Sequence, residues 1–201
     1  MIISIINLKG GVAKTTTSIY LAQAAGEEGF TPIILDADPQ ASAYQWREKI
    51  KEPVSFMVAM APSPFMLENT IRKEGRKNKL IIIDTPPSDS PVGIIASAIK
   101  AADFIVIPTK AGSLEPERVV ETIYLCGEKP KGILITDAFL GTNCLRETID
   151  GWKSSSYELL DVITHRAAIA TDASTEGINT KAVAQHKLII NKIINRERVS
   201  K

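Results

Sequence analysis

The sequence predicts an α/β fold: a mostly parallel sheet of about seven strands with helices on both faces. Three observations lead there. Short apolar runs rich in Ile, Leu and Val alternate with longer amphipathic stretches, the order expected of βαβ crossovers. These runs are continuous rather than alternating in and out, which suits strands covered on both faces. Conspicuous polar residues fall just beyond the runs, at the carboxyl ends of strands, where sheets of this kind bind ligands.

The elements follow in order. Ile2–Ile6 is the first strand, and a glycine-rich loop carries it into a helix over Lys14–Glu28. Pro32–Leu35 runs into the polar stretch Asp36–Ser42, with a helix over Ala41–Lys49. Val54–Val58, between Pro53 and Pro62, is the weakest strand pattern and precedes a helix over Pro64–Lys77. Leu80–Ile83 is wholly apolar, ends at Asp84, and is followed by a helix over Val92–Ala101. Phe104–Ile107, Gly132–Ile135 and Leu159–Ile163 complete the strands, and Pro116–Cys126, Cys144–Ser154 and Lys181–Asn195 the helices. No repeat, low-complexity segment or linker divides the chain, so residues 1–201 read as one domain.

Composition narrows the function. At 201 residues the chain can bury a real core without disulfides. With 44% hydrophobic residues, 23% charged and a formal net charge of +1, it is ordinary for a soluble protein. That balance excludes a histone-like mode of DNA binding but leaves room for a local basic patch. Cys126 and Cys144 form no C-x-x-C pair and read as reduced thiols, with no zinc or iron–sulfur signature. The start lacks a signal-peptide layout and no apolar run is long enough to span a bilayer, so a cytoplasmic protein is expected. With a strand opening the sequence, no accessory DNA-reading domain is expected upstream.

The loop "KGGVAKTT" is a recipe for binding phosphate. Gly10 and Gly11 let the backbone curl closely, and the helix start behind them adds partial positive charge. Lys14 can reach β- and γ-phosphate oxygens, and the Thr15 hydroxyl can ligate Mg²⁺. The usual pattern G-x-x-x-x-G-K-[ST] fails at Leu8 and Ala13. The loop instead resembles the deviant Walker A motif of the ParA/MinD superfamily of P-loop NTPases, K-G-G-x-x-K-[ST]. Glycine is not required at Leu8 in that motif, and Ala13 is a milder departure from it. The resemblance implies ATP and Mg²⁺ as ligands, with Lys9, Gly10, Gly11, Val12, Ala13, Lys14, Thr15 and Thr16 holding the nucleotide. It also implies an ATP-dependent homodimer in which Lys9 reaches the partner's phosphates. From the residues alone, Lys9 serves equally as a solvated loop lysine.

Two acidic blocks extend the likeness. "DADPQ" resembles the superfamily's D-x-D-P-Q, in which Asp38 positions the attacking water and Asp36 lies near the magnesium shell. Without that match, Asp38 before Pro39 is equally a helix cap. "LIIIDTPP" reads as a Walker B strand whose Asp84 holds Mg²⁺ opposite Thr15. Later segments resemble the family less closely. "IVIPTKAGSLEPERV" is similar to a region at its dimer interface, and "GILITDAFLGT" falls where adenine is contacted, with Asp137 a candidate acceptor or a surface carboxylate. "VITHRAAIATDASTEG" resembles a segment of the small partition ATPases.

Within the superfamily, the likeness points to small ParF-like partition ATPases. These would bind nonspecific double-stranded DNA as ATP dimers on the nucleoid, and hydrolyse ATP slowly when stimulated by a centromere-binding adaptor of ParB or ParG type. The tail from Lys181 carries six Lys/Arg against one Glu. Lys181, Lys187, Lys192, Arg196 and Arg198 could contact phosphates, or form a solvated helix face. Its apolar residues could pack on the sheet, and no Phe or Trp is present to seat it in a membrane, the feature a MinD-like positioning ATPase would need.

Overall fold

The structure is a computed structural model that describes residues 1–75, 79–87, 92–112, 116–164 and 177–199; the side chains of Val92, Pro116 and residues 197–199 lie outside that description. Seven strands form one sheet in the order β3-β2-β4-β1-β5-β6-β7, and every neighbouring pair is parallel. They are β1 (Ile2–Ile5), β2 (Pro32–Asp36), β3 (Met57–Met60), β4 (Leu80–Asp84), β5 (Phe104–Lys110), β6 (Lys131–Ala138) and β7 (Leu159–Thr164). The helices are α1 (Lys14–Glu27), α2 (Ser42–Lys49), α3 (Pro64–Gly75), α4 (Val92–Ala101), α5 (Pro116–Leu125), α6 (Asn143–Ser154) and α7 (Thr180–Val199).

The continuous apolar runs are explained by two cores, one on each face. Along β1 and β5, Ile3, Ile5, Phe104 and Val106 face a core shared with α1, α2 and α7. Their neighbours Ile6, Ile105 and Ile107 face a second core shared with α3, α4, α5 and α6. Because successive side chains point to opposite faces, a strand between two helical layers is apolar along both, and the buried exception in β1, Ser4, donates its hydroxyl to the Ala98 carbonyl of α4.

Chain direction then sets the site. From β1 the chain moves through α1 to β2 at one side, whereas from β4 it crosses through α4 to β5 at the other. The loops after the adjacent strands β1 and β4 therefore part toward opposite layers and leave a crevice at their carboxyl ends.

Two expectations need correction. The third strand is Met57–Met60, not Val54–Val58. Val54 packs against the core, but the next amide, Ser55 N–H, donates to Gln23 Oε1 on α1 at 3.0 Å and is lost to the ladder. Asp38 is not a helix cap either: α2 begins at Ser42, behind Ala41 in the left-handed region at φ 55°. Several strands also run further than the apolar pattern, so that Asp36 and Asp84 are the last strand residues of β2 and β4.

Candidate functional site

Residues Gly10, Gly11, Ala13, Lys14, Thr15 and Thr16 line one side of a cavity of about 280 Å³ at the crevice. Asp38 and Ser42 face them from the β2–α2 loop, and Thr85 and Pro87 from the end of β4. The loop's curvature comes from two left-handed residues, Gly11 at φ 73° and Ala13 at φ 66°. Ala13 is the N-cap of α1 and makes no side-chain cap bond, so the first amides of the helix point at the cavity rather than at a capping oxygen. Lys14 is buried, and its Nζ donates to the Lys9 carbonyl at 2.8 Å, lying across the mouth of the loop. Val12 is buried beneath the loop, its carbonyl 3.3 Å from the Thr136 hydroxyl.

Under this cavity lies a pair of carboxylates. Asp36 and Asp84 are register partners on adjacent strands, and both are fully buried. Asp36 is tied into the β2–α2 loop, where Oδ1 accepts the Asp38 N–H at 3.2 Å and Oδ2 the Tyr44 N–H at 2.9 Å. Burial still raises its pKa. Asp38 turns the loop in its own way, accepting the Gln40 N–H on Oδ1 at 2.9 Å. Asp84 receives the Ser18 hydroxyl on Oδ1 at 3.1 Å, and its Oδ2 has no hydrogen bond. Burial and the Asp36 charge together push the Asp84 pKa up to about 7, against the pull of the Thr15 and Ser18 hydroxyls and of Lys14.

A buried carboxylate oxygen without a donor, beside a helix-start threonine hydroxyl, fits a divalent cation. No cluster of three His, Cys, Asp or Glu side chains exists among the described residues. That suits Mg²⁺ held by one or two protein oxygens together with phosphate and water, and not a cage built wholly of protein.

Other candidate residues stand elsewhere. The Lys9 backbone forms the entrance of the loop, its N–H donating to Asn7 Oδ1 at 2.8 Å. Asp137, on β6 in the left-handed region at φ 56°, lies 3.5 Å from Lys110 in an ion pair. In the tail, Lys187 pairs with Glu27 and Glu28 of α1, Lys192 with Asp161, and Arg196 with Glu158. Lys181 is exposed and has no ion pair among the described residues. The side chain of Arg198, Ser113 of the interface-like region and residues 165–176 of the partition-like segment lie outside the described residues.

Sequence reading missed Ser18, and covered Ser42 and Thr85 only as members of the polar stretches after the second and fourth strands, without a role of their own. Ser18 had a usable signal, since it lies one helical turn beyond Lys14 and Thr15 and so shares their face. Size does not mark the site. A larger, mainly apolar cavity of about 630 Å³ lies between α5 and α6, lined by Val120, Trp152 and Tyr157 and without the loop or the acidic pair.

The family profile of the CobQ/CobB/MinD/ParA nucleotide-binding domain matches residues 3–200. The chain belongs to that family. Among curated relatives, it is 36% identical over 124 residues to the maintenance of carboxysome distribution protein A of Gloeobacter kilaueensis, covering 61% of this chain and 55% of that protein. It is 29% identical over 139 residues to the chromosome-partitioning ATPase Soj of Thermus thermophilus, covering 54% of each chain. The chain thus spans about half the length of the curated relatives it matches.

Among solved structures, a putative plasmid partition protein of Borrelia burgdorferi bound to AMPPNP superposes with a TM-score of 0.75 at 18% identity, covering 97% of this chain and 98% of that one. The septum site-determining protein MinD of Pyrococcus horikoshii, complexed with Mg-ADP, superposes at 0.71 with 16% identity, over 100% and 98% of the two chains. The fold is that of ParA- and MinD-type P-loop proteins.

Proposed function

We propose that residues 1–201 form a single ParA-type ATPase domain that binds ATP with Mg²⁺ and dimerises on ATP. On this reading it hydrolyses ATP slowly under the control of an adaptor protein and acts on nonspecific double-stranded DNA, in the cytoplasm on the nucleoid. One observation carries the reading: the glycine loop and Asp38 line one cavity, and the buried Asp84, next in sequence to Thr85 of that lining, has an Oδ2 without a hydrogen-bond partner.

The residues divide the work. The amides of Gly10, Gly11 and the start of α1 point at the phosphates, and Lys14 exchanges the Lys9 carbonyl for phosphate oxygens. Thr15 and Asp84 would hold Mg²⁺, with Asp36 adding negative charge behind them. When bound, Mg²⁺ neutralises charge on the phosphates. Asp38, across the cavity from the loop, orients the attacking water, and Lys9 of each subunit reaches the phosphates of the other. Asp137 lies at the end of β6, where a base would sit, and would exchange Lys110 for it.

Cargo is DNA on this reading, a plasmid or chromosome bridged by a centromere-binding adaptor of ParB or ParG type. The Gloeobacter relative, named for the maintenance of carboxysome distribution, favours a second cargo, a carboxysome. A MinD-like membrane role fits less well. Ile189, Ile190, Ile193 and Ile194 of α7 are buried against the core, so this apolar face is already covered rather than open to a membrane surface.

The deciding experiment is binding to random-sequence duplex DNA with ATP, with ADP and without nucleotide, across a salt series, beside ATP turnover. ATP-dependent, salt-weakened binding supports the reading. Absence of DNA binding in every state, with ATP-dependent binding to anionic liposomes, replaces it by the membrane role.

A further inference from the structure

Asn7 stands where β1 gives way to the phosphate loop, and both ends of its buried amide are engaged. Its Nδ2 donates to the Pro108 carbonyl on β5 at 2.8 Å, and its Oδ1 accepts the Lys9 N–H at 2.8 Å. The other backbone group of Lys9, its carbonyl, accepts Lys14 Nζ at 2.8 Å. One residue earlier, Leu8 N–H donates to Thr122 Oγ1 of α5 at 3.2 Å. Lys9 is therefore fixed on both sides of its Cα. The restraint on its amide side comes from β5, through a single side chain.

A purely architectural role is a poor account of this arrangement. The ladder already joins β1 to β5 over Ile3–Ile5, and Ile6 N–H continues it to the Val106 carbonyl at 3.0 Å. Asn7 reaches past that ladder to the residue on which the proposed cross-dimer chemistry depends. A side-chain amide, with its acceptor and donor on separate atoms, can accept from the amide two residues on while donating to a carbonyl on the next strand.

We propose that Asn7 is the positioning residue of Lys9. By holding the Lys9 amide to β5, it sets the direction in which the lysine leaves the loop, and so its reach to the phosphates of the partner subunit. This rests on the proposed role of Lys9 across the dimer. Serine at position 7 keeps an acceptor for the Lys9 amide and loses the link to Pro108. Aspartate keeps the acceptor and sets a negative oxygen against the Pro108 carbonyl.

The test is a double-mutant cycle on the full chain, with Asn7→Ala, Lys9→Ala and the double variant, and with Asn7→Ser and Asn7→Asp alongside. Three readouts are taken: affinity of the monomer for a fluorescent ATP analogue, ATP-dependent dimerisation, and turnover. Asn7→Ala is expected to bind the analogue within about threefold of wild type, while dimerisation and turnover fall by roughly tenfold or more. That loss should vanish when Lys9 is already alanine, and Asn7→Ser should recover part of it.

An equal loss in the Lys9→Ala background shows a structural role and overturns the inference. So does normal dimerisation in Asn7→Ala while Lys9→Ala is defective. If Asn7→Ala does not fold, the cycle is read with Asn7→Ser. Wild-type dimerisation and turnover in Lys9→Ala removes the cross-dimer role itself, and the positioning role falls with it.

Discussion

Replacing Asp84 with asparagine should stabilise the nucleotide-free protein at neutral pH, even though it removes a residue of the proposed metal site. The Asp84 carboxyl has a pKa of about 7 in the fold, against 3.8 for an unperturbed aspartate. Its folded pKa is raised, so the folded state holds the proton more tightly. The contribution to stability is full below pH 3.8 and is lost as pH rises through 7. About three pKa units correspond to roughly 4 kcal/mol. The introduced side-chain amide would bring its own buried donors, giving back about 1 kcal/mol. The net gain is about 3 kcal/mol at pH 7.5 and near zero at pH 4, or very roughly 6–12 °C in Tm for a chain of this size.

The assay is thermal or urea unfolding of wild type and Asp84→Asn without nucleotide or Mg²⁺, at pH 4.5 and 7.5. Adding Mg²⁺ and ATP should then reverse the order, since only the wild type gains the full stabilisation of a bound ligand. An Asp84→Asn protein no more stable than wild type at pH 7.5 would refute the reasoning.

Other predictions concern separate parts of the molecule. His186 is buried against the Tyr20 ring with its pKa lowered to about 4, so its contribution is full above 6.5 and lost as pH falls through 4. That loss is on the order of 3 kcal/mol, and unfolding of His186→Gln between pH 6.5 and 4.5 should show this part of the slope removed. Ala13→Gly should be neutral or stabilising by up to about 1 kcal/mol, because relief of the left-handed strain outweighs the added freedom of the unfolded chain; a larger loss in urea unfolding would contradict the strained loop. Asp38→Ala should bind ATP and DNA as wild type does while turnover falls by about 100-fold, and normal turnover would withdraw the water-positioning role. Lys181→Ala should reduce the salt slope of DNA binding by about one, whereas Lys187, Lys192 and Arg196, already ion-paired, should each change it less.

Where one force dominated, the sequence was readable. Leu80–Ile83 and Phe104–Ile107 must be strands because each side chain has a helical layer to face, and the apolar run records it. The placement of the glycine loop after β1 and of Asp84 at the end of β4 was legible for a similar reason, since each stands where an apolar run stops. The third strand misled because β3 lies at the sheet edge with exposed or half-buried side chains, and its start was decided by Gln23 reaching across from α1. Ser18 was hidden by its ordinariness in a helix, and Asn7 because its partner, the Pro108 carbonyl, belongs to a strand a hundred residues away in sequence. Asp137 and the tail show the opposite limit. Their charges were visible, but Lys110, Glu27, Asp161 and Glu158, which neutralise them, come from other elements.

The placement of Asp36 and Asp84 ties these points to function. Parallel pairing of β2 with β4 brings the two carboxylates into register beneath the cavity, where burial raises the cost of ionising both and the Asp36 charge adds to it at Asp84. Hydrogen bonding relieves that cost unevenly. Asp36 is held by two backbone amides, while Asp84 Oδ2 receives none. Adding one more serine or threonine at that point would satisfy the oxygen and make the empty site more stable, but it would also fill the place a cation needs. On the proposed function, the unfilled oxygen makes the fold weaker when empty, and in exchange would couple nucleotide and metal binding to the stability of the two loops that carry Lys14 and Asp38. A switch of the proposed kind, which changes partners with its nucleotide, requires that coupling, and the register of two strands would supply it here.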